Sequence, residues 1–127
     1  MSKKKKPNLK KELWKVFSQY IRQRDKGICF TCGLERHWKK MQAGHFINKA
    51  IGGLGLYFNE RNVHCQCYRC NMNLGSNGAI YARRMKEVYG QEVLDELYEI
   101  YDNRKEFNIS DEQYREEIKK YERLVEK

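Results

Sequence analysis

No stretch of the 127 residues approaches the roughly 20 consecutive apolar positions that a membrane-spanning helix needs. Hydrophobic residues make up 40% and charged residues 34%, a balance that points away from a membrane protein. The opening Met-Ser-Lys-Lys-Lys-Lys-Pro is not followed by the apolar core of a secretory signal. The expected setting is therefore the reducing cytoplasm. Cysteine is missing from residues 1–28 and from 71–127, and all five (Cys29, Cys32, Cys65, Cys67 and Cys70) fall between. A disulfide framework would be spread out, even in number and secreted, so this clustered, odd, cytoplasmic set reads as a metal site. There is no internal repeat, and no low-complexity segment beyond the lysine run. The length suits one domain with one modest core.

Acidic residues are scarce at the front. Residues 1–49 carry 14 Lys/Arg against 3 Asp/Glu, and residues 50–90 carry 5 against 2. Residues 91–127 reverse the balance with 7 against 12, within a net charge of +9. A basic front and an acidic tail imply a polyanion-binding face and a separate solvated or partner-binding region.

Residues 1–7 are too charged to pack and are predicted to be a disordered basic leader. Leu9, Leu13, Val16, Phe17, Tyr20 and Ile21 recur at helical spacing, which predicts a helix over 9–25 with Asn8 as N-cap and Gly27 as stop. Residues 28–75 lose that period. They are read as a knuckle over 28–33, a strand over 42–47, a glycine-rich turn at 52–55 and a second strand over 56–58. Helices return around Ile80–Val88 and Val93–Tyr101. A last one starts at Ser110, where Ser110-Asp111-Glu112-Gln113 fits a capping box. Its stripe of Tyr114, Ile118, Tyr121 and Val125 suits packing on the domain or pairing with another chain.

Cys29-Phe-Thr-Cys32 and Cys67-Tyr-Arg-Cys70 are two Cys-x-x-Cys units. Two such turns close a tetrahedron of thiolates around Zn²⁺ and leave no open position, so this zinc is expected to be structural. Cys65 reads as a small buried hydrophobe. Between the pairs stand His45, in Ala43-Gly44-His45-Phe46-Ile47, and Asn62, in Asn59-Glu60-Arg61-Asn62-Val63. Asn71 follows the last cysteine of the pairs.

In this order the residues resemble the HNH nucleases, a branch of the ββα-metal fold, and within them the phage recombination NinG (Rap) family. The likeness rests on residues 17–25, 29–33, 43–47 and 59–71, and on Gly75-Ser76-Asn77. It spans roughly 10–90, and residues 81–90 also suit it. The four-cysteine layout with an Asn after the last is similar to the recombination endonuclease VII type of junction resolvase. The resemblance implies a nuclease domain over 8–90 with a C-terminal helical extension over 91–127. It further implies an enzyme that cuts branched DNA such as Holliday junctions or D-loops, and a homodimer, since symmetric junction cleavage needs two active sites.

Phosphodiester hydrolysis needs a base for water and a cation for the charged transition state. His45 is the candidate general base, because imidazole titrates near neutral pH. Asn71 can offer an amide oxygen to Mg²⁺ or Mn²⁺, and Asn62 can tie the turn to the strand that bears His45. Many HNH enzymes carry an Asp before the base, where it ligates the metal, but here that position is Gly44. Water, a DNA phosphate, a backbone carbonyl or Glu60 is then expected to complete the shell, and Gln42 is expected to face elsewhere. His64 is a possible accessory ligand or phosphate contact, and His37 belongs to a basic loop. Arg22, Arg24, Lys39, Lys40, Lys49, Arg83 and Arg84 are candidate phosphate contacts, which give affinity without sequence information.

The expectation is an α+β protein with a zinc-stapled ββα core between N- and C-terminal helices. Its expected activity is Mg²⁺-dependent cleavage of branched DNA. The alternatives are a non-catalytic zinc module that binds nucleic acid, and an HNH nuclease with another task.

Overall fold

A computed structural model describes residues 7–126, so all but Pro7 of the expected basic leader lies outside the described residues. Helix α1, Leu9–Arg24, begins where Asn8 accepts the Lys11 N–H at 3.1 Å, which satisfies one of the free amides of the first turn. It buries Leu13, Phe17 and Ile21 on one side. The helix ends as Lys26 and Gly27 adopt positive φ and turn the chain into the first knuckle.

Strand β1, Gln42–His45, pairs antiparallel with β2, Val63–Gln66, to make a two-stranded sheet. Gln42 stands opposite Gln66, Ala43 opposite Cys65, Gly44 opposite His64 and His45 opposite Val63. Side chains alternate across a strand, so the odd and even positions serve different partners. Ala43 and Val63 join Leu13, Phe17 and Ile21 of α1 in one apolar cluster. His64 turns to the other face, where Tyr81 and Met85 lie in a second cluster with Ile47, Leu56, Leu94 and Leu97.

The second strand predicted over 56–58 is corrected. That stretch is helical: α2, Lys49–Gly52, and α3, Leu54–Tyr57, are single turns joined at Gly53. Gly53 takes φ +74°, a left-handed value open to glycine, and this break lets Leu56 turn fully into the core. The strand that pairs with β1 starts seven residues later, at Val63.

Helix α4, Gly78–Tyr89, stops at Gly90 with φ +82°, and α5, Gln91–Asp102, packs back on α4 and α3. Helix α6, Asp111–Leu124, opens with both bonds of the capping box: Gln113 N–H to Ser110 Oγ at 3.1 Å, and Ser110 N–H to Gln113 Oε1 at 2.9 Å. It lies along α1 within the same chain, with Tyr114 and Tyr121 in the first cluster. Residues 91–126 therefore contribute to both clusters. The architecture is α+β, mainly helical with one small sheet, and no described helix is long and apolar enough to cross a membrane.

Candidate metal centre and catalytic site

Two turns bring the four cysteines together. In the first, Cys29 N–H donates to Leu34 O and Gly33 N–H to Cys29 O. In the second, β2 runs straight into Cys67, and Asn71 N–H donates to Cys67 O. The Sγ atoms of Cys29, Cys32, Cys67 and Cys70 all lie within 4.8 Å of one another, and Cys32 and Cys67 are 3.7 Å apart. A tetrahedron with metal–sulfur arms of about 2.3 Å has edges of about 3.8 Å, so the cluster can hold a metal ion with little movement. Burial raises the Cys29 thiol, but hydrogen bonds from the Thr31 hydroxyl and from backbone amides outweigh it and bring the pKa down to about 6. Cys65 stays outside the cluster, fully buried, with its thiol pushed up to about 12 by burial. That is the state of an inert apolar side chain.

His45 closes β1 but does not face open solvent. It is 6% exposed, stacked on Trp14 of α1 at 5.1 Å and 19°, with the Tyr57 ring edge-on. His45 is thus part of the packed interior and not a surface side chain. The Tyr57 carbonyl lies 2.9 Å from Nε2 and can only accept, so Nε2 carries the proton. Nδ1 then holds the lone pair. Burial lowers the pKa to about 4, with Lys49 pushing the same way against the Tyr57 hydrogen bond, so the ring is neutral at pH 7.

Asn62, fully buried, spans three segments. Its Oδ1 accepts from Ile47 N–H at 2.8 Å, and its Nδ2 donates to Ile47 O at 3.1 Å and Leu56 O at 3.0 Å. It clamps Ile47, two residues beyond β1, and Leu56, the residue before Tyr57, and so fixes the segment whose carbonyl orients His45.

The opposite face of β1 holds the position of the missing carboxylate. A Cβ on Gly44 would overlap Gln66 Oε1 and come within 2.8 Å of Asn71 Oδ1. The space is already filled by an amide from the neighbouring strand. Gln66 Nε2 donates to Thr31 Oγ1 at 3.1 Å and to the Ser76 carbonyl at 2.9 Å. The Ser76 carbonyl accepts only a donor, so the Gln66 amide cannot be turned over, and Oε1 must face Gly44. There it is buried with no hydrogen-bond partner, which typically costs about 1–3 kcal/mol. Asn71 Nδ2 donates to Gln42 Oε1 at 2.7 Å, which leaves Asn71 Oδ1 turned toward the same gap. Gln42 therefore belongs to this site. Glu60 does not: its carboxylate accepts from Tyr121 OH at 3.0 Å, beside α6.

His64, 2% exposed, sits in a hydrogen-bonded row. Tyr81 OH donates to Gly44 O at 2.8 Å, so it accepts from His64 Nδ1 at 2.9 Å, and His64 Nε2 accepts from Tyr89 OH at 2.6 Å. Both nitrogens are taken, and the row braces β1 against α4. His37 uses Nδ1 to cap the turn at Lys39.

With this geometry in place, comparison with known proteins is direct. Residues 1–127 match the family described as Bacteriophage Lambda NinG protein. The chain belongs to the NinG family. It is 34% identical over 90 residues to protein ninG of Escherichia phage lambda, which covers 68% of this chain and 42% of that protein. The same segment length is 33% identical to protein ninG of Escherichia phage 933W and 32% identical to that of Salmonella phage P22. The chain thus spans less than half the length of the NinG proteins it matches. No solved structure matches it.

The basic residues of this NinG-family chain divide into two groups. Arg24 gives its guanidinium to Asp25, Glu60 O and Val63 O, and so ties the end of α1 to β2. Arg22 donates to Ser18 O and lies over the Trp38 ring, while Arg84 donates to Phe30 O and Glu87. These three hold internal contacts, whereas Lys39, Lys40, Lys49 and Arg83 are exposed. Sequence reading missed Gln66, Trp14 and the Tyr57 carbonyl. Only Gln66 left a signal, since alternation from Cys65 places it on the face of Gly44.

Gly44→Asp accordingly does not enter an empty slot. Gly44→Ala is the cleaner test: it should displace Gln66 and lower stability by about 1–3 kcal/mol in denaturant unfolding, with the metal content of the cysteine cluster unchanged.

Proposed function

We propose that this chain is a metal-dependent DNA endonuclease of the HNH, ββα-metal type that acts on branched recombination intermediates. The ββα unit would be β1, β2 and the turn carrying Asn71 into α4, with Zn²⁺ on Cys29, Cys32, Cys67 and Cys70 as its staple. The observation that carries the reading is the pair on β1. A neutral His45 with its tautomer fixed on one side, and an inward-facing amide oxygen of Asn71 on the other, flank a strand whose second edge has no strand partner among the described residues.

His45 Nδ1 accepts the proton of a water whose oxygen bonds to phosphorus, as the bond to the leaving sugar oxygen breaks. Tyr57 O holds the ring in the tautomer that can do this, and Asn62 holds the neighbouring Leu56 carbonyl. A divalent ion such as Mg²⁺ or Mn²⁺, when bound at Asn71, neutralises charge that builds on the phosphate oxygens. The inward amide oxygens at Gly44 suit such a hard ion.

Lys39, Lys40, Lys49 and Arg83 suit phosphate contact, which favours recognition by shape over sequence. A panel of four-way junction, flap, D-loop and linear duplex with Mg²⁺ tests the proposal. Faster cleavage of branched forms is expected, and equal rates on linear duplex would assign another nuclease task. No cleavage of any form would favour a non-catalytic binding module, a reading for which the absence of a carboxylate at position 44 speaks. Binding should weaken steeply with salt. Deleting residues 1–7 should reduce the log–log salt slope by up to about 3.6, because that segment carries four lysines. An unchanged slope would remove the leader from the DNA interface.

A further inference from the structure

The gap at Gly44 holds two amide oxygens and no counter-group. Gln66 Oε1 is fully buried, partnerless and locked in its orientation by Ser76 O and Thr31 Oγ1. Asn71 Oδ1 faces the same point, with its Nδ2 donating to Gln42 Oε1. Two carbonyl oxygens that converge on one point beside Gly44 repel unless something positive lies between them. Glycine at 44 is the residue that leaves room for the Gln66 amide.

We propose that Gln66 is an oxygen ligand of the divalent cation. The amide occupies the place where related sites use the carboxylate of the residue before the base. This rests on the nuclease reading above, and it changes the character of the site. The protein's share of the shell is then uncharged, made of the Gln66 and Asn71 amides, and it supplies geometry but no charge. The anionic part of the shell must come from the DNA phosphate, so the ion is held firmly only when a phosphate is present. Such a site discriminates against ions in the absence of substrate. Cation affinity in oxygen sites follows the number of charged ligands.

The test uses the full zinc-loaded chain and Mn²⁺ as probe, read by loss of the free-ion EPR signal, with and without a four-way junction. His45→Ala is the background, so that the junction stays intact. Alongside it, Mg²⁺ is titrated against the Gln66 side-chain NH₂ signals in ¹⁵N NMR. Zinc content and the melting temperature check each variant. Gln66→Met keeps the volume and removes the oxygen, and should weaken Mn²⁺ binding about tenfold. Gln66→Glu returns a carboxylate. It should tighten Mn²⁺ binding about tenfold and make it less dependent on the junction.

If Gln66→Glu fails to fold, Gln66→Met and the NMR titration still decide. Mn²⁺ binding that depends on Asn71 but is unchanged in Gln66→Met, with Gln66 signals that do not move with Mg²⁺, would overturn the proposal and leave the nuclease reading standing. Gln66 would then serve only as a packing amide toward which Asn71 turns its NH₂. No Mn²⁺ binding by the parent chain under either condition would overturn both.

Discussion

Removing the metal from the four-cysteine cluster is expected to unfold the middle of this protein. Among the described residues, the buried apolar cluster of Cys29, Cys65, Cys67 and Cys70 gains only Met41. Few hydrogen bonds, such as Phe30 N–H to Cys65 O and Gln66 to Thr31, join the two knuckles, so a metal on the four cysteines would be their main tie. Structural zinc sites of this kind contribute about 10–16 kcal/mol at neutral pH, and a domain of this size has about 5–15 kcal/mol in total. Chelation, or Cys67→Ser, should therefore abolish cooperative unfolding of residues 28–77. Part of the α1–α6 pairing through Phe17, Tyr114 and Tyr121 should persist in circular dichroism. Cys65, slow to react in the loaded protein, should become as reactive as the other four. Elemental analysis that finds no metal in well-folded protein would end the argument. Analysis that finds a metal other than zinc would change the identity of the ion and leave the fold argument intact.

His45→Ala is expected to cost about 10²–10⁴-fold in cleavage rate. It should also destabilise, because it deletes the ring against Trp14 and the bond to Tyr57 O. His45→Phe keeps a ring against Trp14 without a base, so it should recover stability and not rate. Asn71→Ala should instead raise the Mg²⁺ concentration needed for cleavage, and excess Mg²⁺ should partly rescue it but neither His45 variant. Asn62→Ala should lose both rate and stability, since three buried hydrogen bonds go with it.

Burial supplies an independent readout. His45 has a pKa of about 4 in the fold, against about 6.5 when unfolded, so the native state binds the proton less well. Its contribution to stability is complete above about pH 6.5 and is lost as pH falls toward 4. Both His45 variants should show a shallower acid slope in stability than the wild type. Wild-type cleavage rates in His45→Ala would remove the base assignment. His64 would not replace it, because both its nitrogens are engaged.

Local chemistry made part of this molecule readable in advance. The paired Cys-x-x-Cys spacing, the Asn8 cap and the Ser110–Gln113 box are decided by neighbours in sequence, and each forms as its residue types dictate. The strand predicted at 56–58 was misread because Leu56 and Phe58 alternate like a strand, yet Gly53 permits a helical turn and the core takes Leu56 from that turn. Gly44 looked like an omission. What fills it comes from β2, two residues along from the register partner of Gly44, and register between distant strands is a tertiary fact. The burial of His45 under Trp14 is equally hidden, since Trp14 lies off the apolar stripe that helical spacing marks on α1.

If His45 is the base proposed above, the Trp14–His45 stack has a consequence for how so weak a base would work. When Nδ1 takes a proton the ring becomes a cation, and it does so against the face of an indole and the edge of Tyr57. An aromatic face attracts a cation by about 0.5–2 kcal/mol, more as water is excluded. Nε2–H, already on the Tyr57 carbonyl, becomes a charge-assisted donor at the same moment. The surroundings that disfavour the proton at rest thus contain groups that stabilise it once transferred. Under the proposed function, a DNA phosphate beside His45 would add to that stabilisation and raise the basicity of the ring when substrate is in place.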